Sequence, residues 1–533
     1  MDKNIILAVV LSLAILFGYQ WYAEKTAEKT IPVPVKEEAA KKPIASDEKS
    51  SVKSQSPTAP RVEEAELIKV EKTDVSTPLY EASFSSRGGT LTSFKLKHYL
   101  DKLGSDGKPI DFFNGILNGD ESLALKLKNS NFSLASGASY TFNKKKISVL
   151  QGKKEILTLT HKTKDNLTVV KEFTFSSDSY QIEYNIKIIN ESGETFNGAP
   201  VISLSKNLKG HSSSDEEFSG LVFYNEKEMK KPDYKDLGKG FSYNGKVRWA
   251  ALEEKFFVAA LLPKSDLLTS ISFAMDKDNQ VKGDIEFKPL TIPSGKSVNI
   301  DGKIYIGPKI FELLAQLNNK LDSVIDYGWF HVVAKPLFYV LKYLNDFCKN
   351  YGLAIIILTI LIKIIFHPLT HKSLKSMQEL QRIQPKLKEL QAKYKDDKQR
   401  LNKEMMELYK VHKVNPMGGC LPMLIQIPVF IALYKVLLVS IELRHAPFVF
   451  WVKDLSDKDP YYITPILMGI TMFIQQKMTP STGDKMQQNM MLAMPVVFTV
   501  MFLSFPSGLV IYWLVNNILS IGQQYWLNKT IKR

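Results

Sequence analysis

The chain lacks the residue patterns that most soluble enzymes and metalloproteins depend on. Only 2 of its 533 residues are cysteines, so a disulfide framework is excluded, and no cysteine and histidine cluster has the spacing of a zinc site. The phosphate-binding loops GxxxxGK[ST] and GxGxxG and the nucleophile elbow GxSxG are also missing. These absences leave little basis for soluble-enzyme chemistry, and we expect no metal, no cofactor and no catalytic residue.

Acidic residues are missing from the apolar segments in the last third of the chain. One of these segments, residues 355–366, is interrupted only by Thr359 and Lys363. A lysine at membrane depth costs about 2.5 to 3.5 kcal/mol on the mildest scale. Because no Asp or Glu lies inside the other apolar segments to pair with it, we expect Lys363 to face a hydrated cavity between helices.

Six segments are apolar enough to be candidate membrane spans, namely residues 5–21, 354–368, 417–439, 462–478, 490–505 and 509–525. The first ends in Tyr19, Trp21 and Tyr22, aromatic residues that suit a membrane interface. A cleaved signal peptide is the alternative, but Tyr-Gln-Trp-Tyr is a poor cleavage site. We therefore expect residues 1–22 to be an N-terminal transmembrane anchor.

The net charge of +15 is unevenly distributed, and its distribution predicts the orientation. Residues 371–415 carry twelve Lys and Arg against six Asp and Glu, whereas residues 440–461 carry three against four. The positive-inside rule places the first of these segments in the cytoplasm. Counting spans from there puts both termini in the cytoplasm and residues 77–310 outside.

Between the first and second spans, the composition predicts a linker followed by a folded domain. Residues 23–76 are rich in Lys, Glu, Ala, Pro, Ser and Thr without an apolar period, which is typical of a flexible linker. Residues 77–310 contain runs that largely alternate apolar and polar residues, such as residues 167–175, separated by turn-forming residues. This pattern predicts a large antiparallel β-sandwich.

Residues 311–350 are predicted to contain an amphipathic helix. Lys335 and Lys342 are candidates for its polar face, and a helix lying along the outer membrane surface fits the pattern. A helix docked on the β-sandwich is the alternative. The predicted apolar stripe consists of Trp329, Phe330, Val333, Leu337, Val340 and Leu341.

The basic segment 371–415 is predicted to form a cytoplasmic hairpin of two helices joined by apolar stripes. Its outer face is cationic and suits anionic lipid headgroups or ribosomal RNA, although a hairpin that is only solvated remains the alternative. The stripes are Leu374, Met377, Leu387, Leu390 and Tyr394 on one helix and Leu401, Met405, Leu408 and Val411 on the other. The basic face consists of Lys386, Lys388, Lys393 and Lys395.

Several polar side chains interrupt the candidate spans. In membrane helices, single amides are more often contacts between helices than ligands for a substrate. The residues concerned are Thr359, Gln426, Gln475, Gln476, Asn516 and Asn517. Both interpretations stay open for this set.

Long strings in the last third of the chain closely resemble the YidC family of membrane protein insertases. The resemblance covers residues 351–525, and the placement of an anchor and a β domain before it resembles the Gram-negative form of the family. The strings are Asp396-Asp-Lys-Gln-Arg, Glu404-Met-Met-Glu-Leu-Tyr-Lys, Val414-Asn-Pro-Met-Gly-Gly-Cys-Leu-Pro-Met-Leu-Ile-Gln-Ile-Pro, Asp459-Pro-Tyr-Tyr-Ile-Thr-Pro-Ile-Leu-Met-Gly and Phe505-Pro-Ser-Gly-Leu-Val-Ile-Tyr-Trp.

The resemblance implies a core of five helices, within residues 351–533, around a hydrophilic groove that opens to the cytoplasm and to lipid. The groove cation of the family, usually arginine, maps onto Lys363, which keeps the charge but loses the five-donor fork of arginine. The expected groove residues are Lys363, Thr359, Gln426, Gln475, Gln476, Tyr512 and Trp513. A substrate segment is expected to meet the hairpin first and then pass along the third and fifth spans.

The resemblance therefore implies an inner-membrane insertase and chaperone without bond chemistry, working alone or with the Sec translocon. Its expected partners are nascent membrane proteins, Sec components, the ribosome and anionic lipids, and no DNA. The alternatives are a secondary transporter, whose inverted repeats we do not find, and a sugar-acting enzyme in the β domain. For the latter, His98, His161 and His211 lie in no recognisable acid–base motif.

Overall fold

The structure is a computed structural model, and it describes residues 70–114, 122–135, 137–208, 219–264, 267–395, 397–412, 421–479 and 485–531. The expected anchor, residues 1–22, and residues 23–69 of the expected linker lie outside this part of the chain. The described residues comprise a β-rich part and a helical part that follows it.

The β-rich part consists of two sheets. One sheet has the strand order β4-β3-β2-β1-β7, and the larger one has the order β18-β11-β17-β16-β14-β15-β19-β10-β9-β8-β6, with β12, β13 and β5 attached at its side. The strands are β1 Lys72–Ser76, β2 Tyr80–Ser85, β3 Thr90–Leu100, β4 Pro109–Asp111, β5 Ala124–Lys128, β6 Thr141–Phe142, β7 Lys146–Ser148, β8 Lys154–Lys162, β9 Leu167–Ser176, β10 Gln181–Asn190, β11 Phe196–Asn207, β12 Gly220–Asn225, β13 Met229–Lys230, β14 Phe241–Glu253, β15 Phe257–Pro263, β16 Leu268–Met275, β17 Gln280–Phe287, β18 Leu290–Ile292 and β19 Ser297–Pro308.

Alternation of side chains explains how these strands build a core. Along β9 every second residue is buried, and β10 pairs with β9 in antiparallel register with the same alternation. The two sheets meet through aromatic rings, since Phe84 of β2 lies 5.1 Å from Phe173 and 6.0 Å from Phe175 of β9, measured between ring centroids. The predicted β-rich domain is confirmed, and one pair, β1 with β7, is parallel.

The predicted end of the linker at residue 76 is wrong, because β1 occupies Lys72–Ser76. This strand pairs with β2 in antiparallel register and buries Thr73 and Val75 completely. Two inward-facing residues in a strand of five are too few to stand out from the preceding polar sequence. The folded domain therefore begins at least five residues earlier than the alternation indicates.

The helical part follows β19. Its helices are α1 Phe311–Ala315, α2 His331–Cys348, α3 Tyr351–Lys393, α4 Lys398–Val411, α5 Leu421–Val439, α6 Ile463–Met478, α7 Lys485–Phe502 and α8 Ser507–Ile531. Short 3₁₀ turns lie at Leu321–Val324, Gly328–Phe330 and Ile441–Leu443, and one helical turn within the β part spans Tyr234–Leu237. Helices are thus present at all five positions predicted for the last third of the chain.

The second predicted span and the first arm of the hairpin lie on one helix, because α3 continues for 43 residues through Pro368 and Pro385. Each of these prolines lacks the N–H of one helical hydrogen bond, and the helix nevertheless continues past both. The first arm of the hairpin is therefore an extension of α3.

The hairpin itself is present, with a shorter apolar seam than predicted. Leu387, Met405 and Leu408 lie in this seam as expected. Val411 does not, because it is 72% exposed at the end of α4. The seam consists of Leu380, Ile383 and Leu387 on α3 and Met405, Leu408 and Tyr409 on α4.

Helix α2 packs on α3 and α5, and buries Ala334, Phe338 and Leu341. Its predicted stripe is divided, because Leu341 is buried while Trp329 is 97% exposed. Lys342 forms an ion pair with Glu312 of α1. The helix thus docks on the helical part and still presents exposed aromatic side chains on another side, a combination that neither of the two expectations describes alone.

Direct contacts join the β-rich part to the helical part. The Arg444 guanidinium, in the loop between α5 and α6, donates a hydrogen bond to the Leu100 carbonyl at the end of β3. The Trp249 indole of β14 donates a hydrogen bond of 3.0 Å to the carbonyl of Asn319, which lies in the segment after α1. The two parts are therefore packed together.

Asp459 organises the start of α6. Its carboxylate accepts hydrogen bonds from the Thr464 amide at 2.8 Å, the Thr464 hydroxyl at 2.7 Å and the Tyr461 amide at 2.9 Å. Burial by itself raises the pKa of this carboxyl, but the hydrogen bonds outweigh burial and hold the pKa below its usual value. The charged form of Asp459 therefore stabilises the turn that precedes α6.

The helical part exposes many aliphatic side chains. By length and composition, Tyr351–Leu380 is the one described helical segment that is long and apolar enough to cross a membrane, and Gln426–Val439 and Asn489–Phe502 are shorter apolar segments. The count of six spans stays a prediction. Soluble proteins rarely leave so large an apolar surface exposed, and examples are Ile364, Ile365, Ile466, Ile470, Val496 and Val500.

Candidate functional site: a polar track on the last helix

Five polar side chains follow one face of α8. They lie at positions i, i+1, i+4, i+7 and i+8, a spacing that places them on one side of a helix over a length of about 12 Å. The residues are Asn516, Asn517, Ser520, Gln523 and Gln524, and we call this set the polar track. Because α8 packs against α3 and α6, the track lies where polar groups of neighbouring helices can reach it.

Lys363 of α3 contacts the middle of the polar track. Its ammonium donates a hydrogen bond of 2.7 Å to the Ser520 hydroxyl. The Ser520 hydroxyl itself donates to the Asn516 carbonyl over 2.7 Å, so its oxygen is free to accept from the lysine. No carboxylate within the described part of the chain forms an ion pair with Lys363.

The other contacts of the track tie α8 to α5 and α6. The Gln426 amide of α5 donates to the Asn516 side-chain oxygen at 2.8 Å. The Asn517 amide donates to the Thr471 hydroxyl of α6 at 3.3 Å, and the Gln524 amide donates to the Met478 carbonyl at 2.7 Å. Polar groups on four helices, α3, α5, α6 and α8, therefore converge on one face.

Three of the predicted groove residues are not members of the polar track, although Tyr512 lies one turn before Asn516 on the same face of α8. The Thr359 side chain is buried, and its hydroxyl donates to the Ile355 carbonyl of its own helix at 2.6 Å. Tyr512 is buried against Phe430, at 6.4 Å between ring centroids. The ring centroid of Trp513 lies 4.5 Å from that of Phe430 on α5 and 5.3 Å from that of Phe502 on α7. These contacts make all three residues part of the packing between helices.

Gln475 and Gln476 are half-buried near the end of α6, and their backbone carbonyls accept from the Thr479 amide. The sequence predictions missed Ser520, Gln523 and Gln524 as members of the track. The signal was present, because these residues continue the helical spacing that Asn516 and Asn517 begin.

The composition of the track limits what it can do. It offers hydroxyls, amides and one ammonium, which exchange hydrogen bonds easily, and α3 before Glu379, α5, α6, α7 and α8 contain no Asp or Glu. Such a surface favours neutral polar or acidic groups and disfavours cations. The Ser520 hydroxyl donates its proton to the Asn516 carbonyl and accepts from Lys363, so the pair is not arranged as a nucleophile with its base, and the surface fits transient binding of a polypeptide better than bond chemistry.

The predicted basic face of the hairpin is exposed. Lys386, Lys388, Lys393 and Lys395 are all accessible to solvent, outside the apolar seam. The Lys386 ammonium lies 3.3 Å from the His412 ring nitrogen, a contact between the two helices of the hairpin. The cationic surface is therefore available to a partner without disturbing the packing of the hairpin.

The β-rich part holds a different kind of buried cation. Lys171 of β9 is completely buried, and its ammonium donates to the carbonyls of Gly88 at 2.9 Å, Gly89 at 3.0 Å and Leu123 at 3.0 Å. Burial lowers the pKa of Lys171 to about 7, while the three carbonyls favour the charged form. With all three donors used, this lysine acts as a structural tie between two loops.

No acid–base or metal site takes shape in the described β strands and loops. The His161 ring nitrogen pairs with the Ser139 carbonyl at 2.8 Å, and His211 lies outside the described residues. Among the described residues, no group of three or more His, Cys, Asp or Glu side chains could hold a metal ion. The sugar-acting alternative therefore gains no candidate residues from the geometry.

Two family models match the chain. The model described as 60Kd inner membrane protein matches residues 343–533, and the model described as YidC periplasmic domain matches residues 72–340. Together they cover the helical part and the β-rich part. The second match begins at the residue where β1 begins.

Full-length relatives are similar throughout. The membrane protein insertase YidC of Geotalea daltonii is 41% identical over 100% of both chains, and that of Syntrophus aciditrophicus is 42% identical over 99% of this chain and 100% of the relative. Among solved structures, an active YidC insertase covers 85% of this chain and 91% of its own, at 18% identity and a TM-score of 0.38. A galactose mutarotase related enzyme from Lactobacillus acidophilus covers 44% of this chain at 12% identity, with a TM-score of 0.30.

Proposed function

The chain belongs to the YidC family of membrane protein insertases, and we propose that it inserts its substrates along the polar track of α8, with Lys363 as the receiving charge. It is an inner-membrane protein with a periplasmic domain, and it moves polypeptide segments without bond chemistry. The helical part carries out insertion. Polar groups of the substrate rest on the track while its apolar segment enters lipid.

The observation that carries this proposal is the hydrogen bond between Lys363 and Ser520. An ammonium has three donors, and within the described residues the structure assigns one of them to Ser520. The remaining donors need water or a substrate group, because a cation inside an apolar region is otherwise destabilised. A substrate carboxylate or carbonyl meets that need while it passes.

The driving force comes from the substrate. A segment of about twenty apolar residues gains far more by entering lipid than a few polar groups lose on the way. The exposed aliphatic face of α7, which includes Val496, Val497 and Val500, supports its role as the surface along which the segment moves. The described part of α5 is largely covered by neighbours, so we assign the larger share of this path to α7.

The membrane arrangement follows from the same proposal. Six spans, of which residues 5–21 are the first and α3, α5, α6, α7 and α8 contain the others, place both termini and the hairpin in the cytoplasm. The basic hairpin then meets anionic lipids, the ribosome or the emerging substrate first. The Sec translocon is a proposed partner for substrates with larger translocated regions.

The test uses proteoliposomes and a single-span substrate with a short acidic translocated tail. Lys363→Glu lowers insertion about tenfold or more, since reversing one charge at an effective dielectric constant near 20 changes the interaction by a few kcal/mol. Lys363→Arg retains activity because it retains the charge. Lys453→Glu makes the same charge change in an exposed outer loop and serves as the control.

Two outcomes contradict the proposal. Equal insertion by the Lys363→Glu variant removes the receiving role of the charge. Equal losses in the Lys363→Glu and Lys453→Glu variants indicate a general effect of net charge and remove the role of the track. Protease protection of the substrate tail, measured on the intact chain, distinguishes these cases.

A further inference from the structure

Two histidines continue the face of α3 that carries Lys363. His367 and His371 lie one and two helical turns further along, at positions i+4 and i+8, which places the three side chains on one side of the helix about 6 Å apart along its axis. The two imidazole rings lie 6.1 Å apart, measured between centroids. The histidines are exposed, whereas Lys363 is half-buried.

His367 contacts the polar track one turn beyond the contact of Lys363. The Gln523 side-chain nitrogen lies 3.1 Å from the Nδ1 atom of His367. The contacts of Lys363 with Ser520 and of His367 with Gln523 therefore form two successive rungs between α3 and α8. The Nε2 atom of His367 faces away from Gln523, where it can meet a substrate.

The orientation of the Gln523 amide does not change this conclusion. As assigned, its nitrogen donates to Nδ1, which leaves the ring proton on Nε2 as an outward donor. The Gln523 oxygen is buried without a hydrogen-bond partner among the described residues. The opposite amide orientation pairs that oxygen with a protonated Nδ1 and again leaves Nε2 facing outward, where it donates to a carboxylate when the ring is charged.

We propose that His367 and His371 are specificity residues that receive the carboxylates of an acidic translocated segment before these reach Lys363. The inference rests on the proposed insertase path and adds two binding positions on α3 to the one at Lys363. An imidazole N–H binds a carboxylate, and more strongly when the ring is charged. The three side chains form a sequence of binding positions from the exposed part of α3 toward the half-buried lysine.

The surrounding charges favour the same substrate class. The nearest charged residues on the same helix are Lys372 and Lys375, and the first acidic residue of α3 is Glu379, two turns beyond His371. The helix that faces these histidines, α8, contains no acidic residue. A carboxylate is attracted along this path, while a cationic tail is repelled from it.

The test compares two tails and three variants in proteoliposomes that hold the full chain. One single-span substrate carries two Asp in its translocated tail, and its matched partner carries two Asn. The double variant His367→Gln and His371→Gln lowers insertion of the Asp tail about threefold or more, the size expected for the loss of two exposed polar contacts with carboxylates, and leaves the Asn tail unchanged. His367→Lys with His371→Lys restores the Asp tail. The control His331→Gln changes an exposed histidine on α2 and affects neither tail.

The outcomes separate the inference from the function on which it rests. Equal insertion of the Asp tail by the wild type and the glutamine variant overturns the role of the histidines and leaves the Lys363 path intact. Equal losses of both tails also overturn it, because they indicate a packing role. If the wild-type chain inserts neither tail, the proposed path fails and the inference fails with it.

Discussion

The β-rich part and the helical part each enclose a lysine without a carboxylate partner among the described residues, and the two lysines are treated differently. Lys171 is completely buried and gives all three of its donors to backbone carbonyls. Lys363 is half-buried and gives one donor to Ser520. The first arrangement is closed, and the second leaves capacity for a transient partner.

This difference in hydrogen bonding suits Lys171 to stabilising the β-rich part and Lys363 to transient binding in the helical part. A buried polar group that is fully hydrogen-bonded resists exchange, because each lost bond leaves an unpaired partner behind. A polar group with unused donors exchanges partners at little cost. Both lysines carry an ammonium group, so the number of its donors already used, more than the charge itself, distinguishes the structural lysine from the one that can bind a transient partner.

The largest expected loss of stability comes from Lys171→Met. The substitution leaves three buried carbonyls without donors and should lower the free energy of unfolding by about 3 to 5 kcal/mol. Lys363→Met should change it by less than about 1 kcal/mol, because Ser520 keeps its bond to the Asn516 carbonyl. Denaturant unfolding of the purified chain in detergent measures both.

The control for this pair is Lys145→Met, which removes an exposed lysine of the β-rich part. We expect the Lys171 variant that remains folded to insert substrates normally and the Lys363 variant to insert acidic tails poorly. If Lys363→Met destabilises the chain as much as Lys171→Met, the contrast between closed and open lysines does not hold.

A loss of about 2 to 4 kcal/mol is expected for Leu387→Asp combined with Leu408→Asp. Both substitutions place a charge in the short seam that joins α3 to α4. The hairpin should separate, become sensitive to proteolysis between the two helices, and cease to support insertion. Met406→Asp, on the exposed side of α4, is the matched control.

Normal insertion by this separated variant would show that the hairpin is a spacer. Sensitivity to proteolysis without loss of insertion distinguishes that case from a variant that has not opened. The described apolar seam of the hairpin consists of six side chains, so two charges placed in it affect a third of the seam.

Asp459→Asn tests a saturated carboxylate in the turn before α6. The charged carboxylate accepts three hydrogen bonds, and its replacement should cost about 1.5 to 3 kcal/mol at neutral pH. Since the folded-state pKa of Asp459 is lowered, its contribution is present above the unfolded pKa near 4 and is lost as the pH falls through the folded value.

The difference in stability between the wild type and Asp459→Asn should therefore shrink as the pH falls below about 4. Unfolding curves of both chains at neutral and acidic pH measure the change. A constant difference across this range would mean that the charge of Asp459 does not stabilise the turn before α6.

The smallest effect on stability is expected when the four lysines of the hairpin face are changed to glutamine. Lys386, Lys388, Lys393 and Lys395 lie outside the seam, so the change should stay within about 0.5 kcal/mol per residue. Binding to anionic liposomes should weaken, and more at low salt than at high salt. If the variant binds anionic liposomes at low salt as well as the wild type does, the cationic face is not the surface that binds them.

The sequence predicted those features that depend on local patterns. The alternation in β9 and β10, the five helical positions of the last third and the apolar seam around Leu387 follow from periods of 2 and 3.6 residues. The isolated charge at Lys363 was visible because a cation within an apolar run has a known cost.

The features that the sequence did not predict depend on contacts between distant residues. Proline is unfavourable inside a helix, so Pro368 indicated the end of one. In the structure α3 continues through Pro368. The roles of Tyr512 and Trp513 depend on Phe430, some 80 residues earlier in the chain. Ser520 belongs to the site because it accepts a hydrogen bond from Lys363 of α3, a contact between distant residues that no local pattern could reveal.

The continuity of α3 has a mechanical consequence. A helix of 43 residues is about 65 Å long, so it works as a lever whose one arm lies beside the polar track and whose other arm carries the basic face. A tilt of about ten degrees at one end displaces the far end by roughly 11 Å. Pro368 and Pro385 each remove one backbone hydrogen bond, so the lever bends most easily at these residues. A load on the hairpin therefore moves Lys363 only to the extent that α3 stays straight at these two prolines.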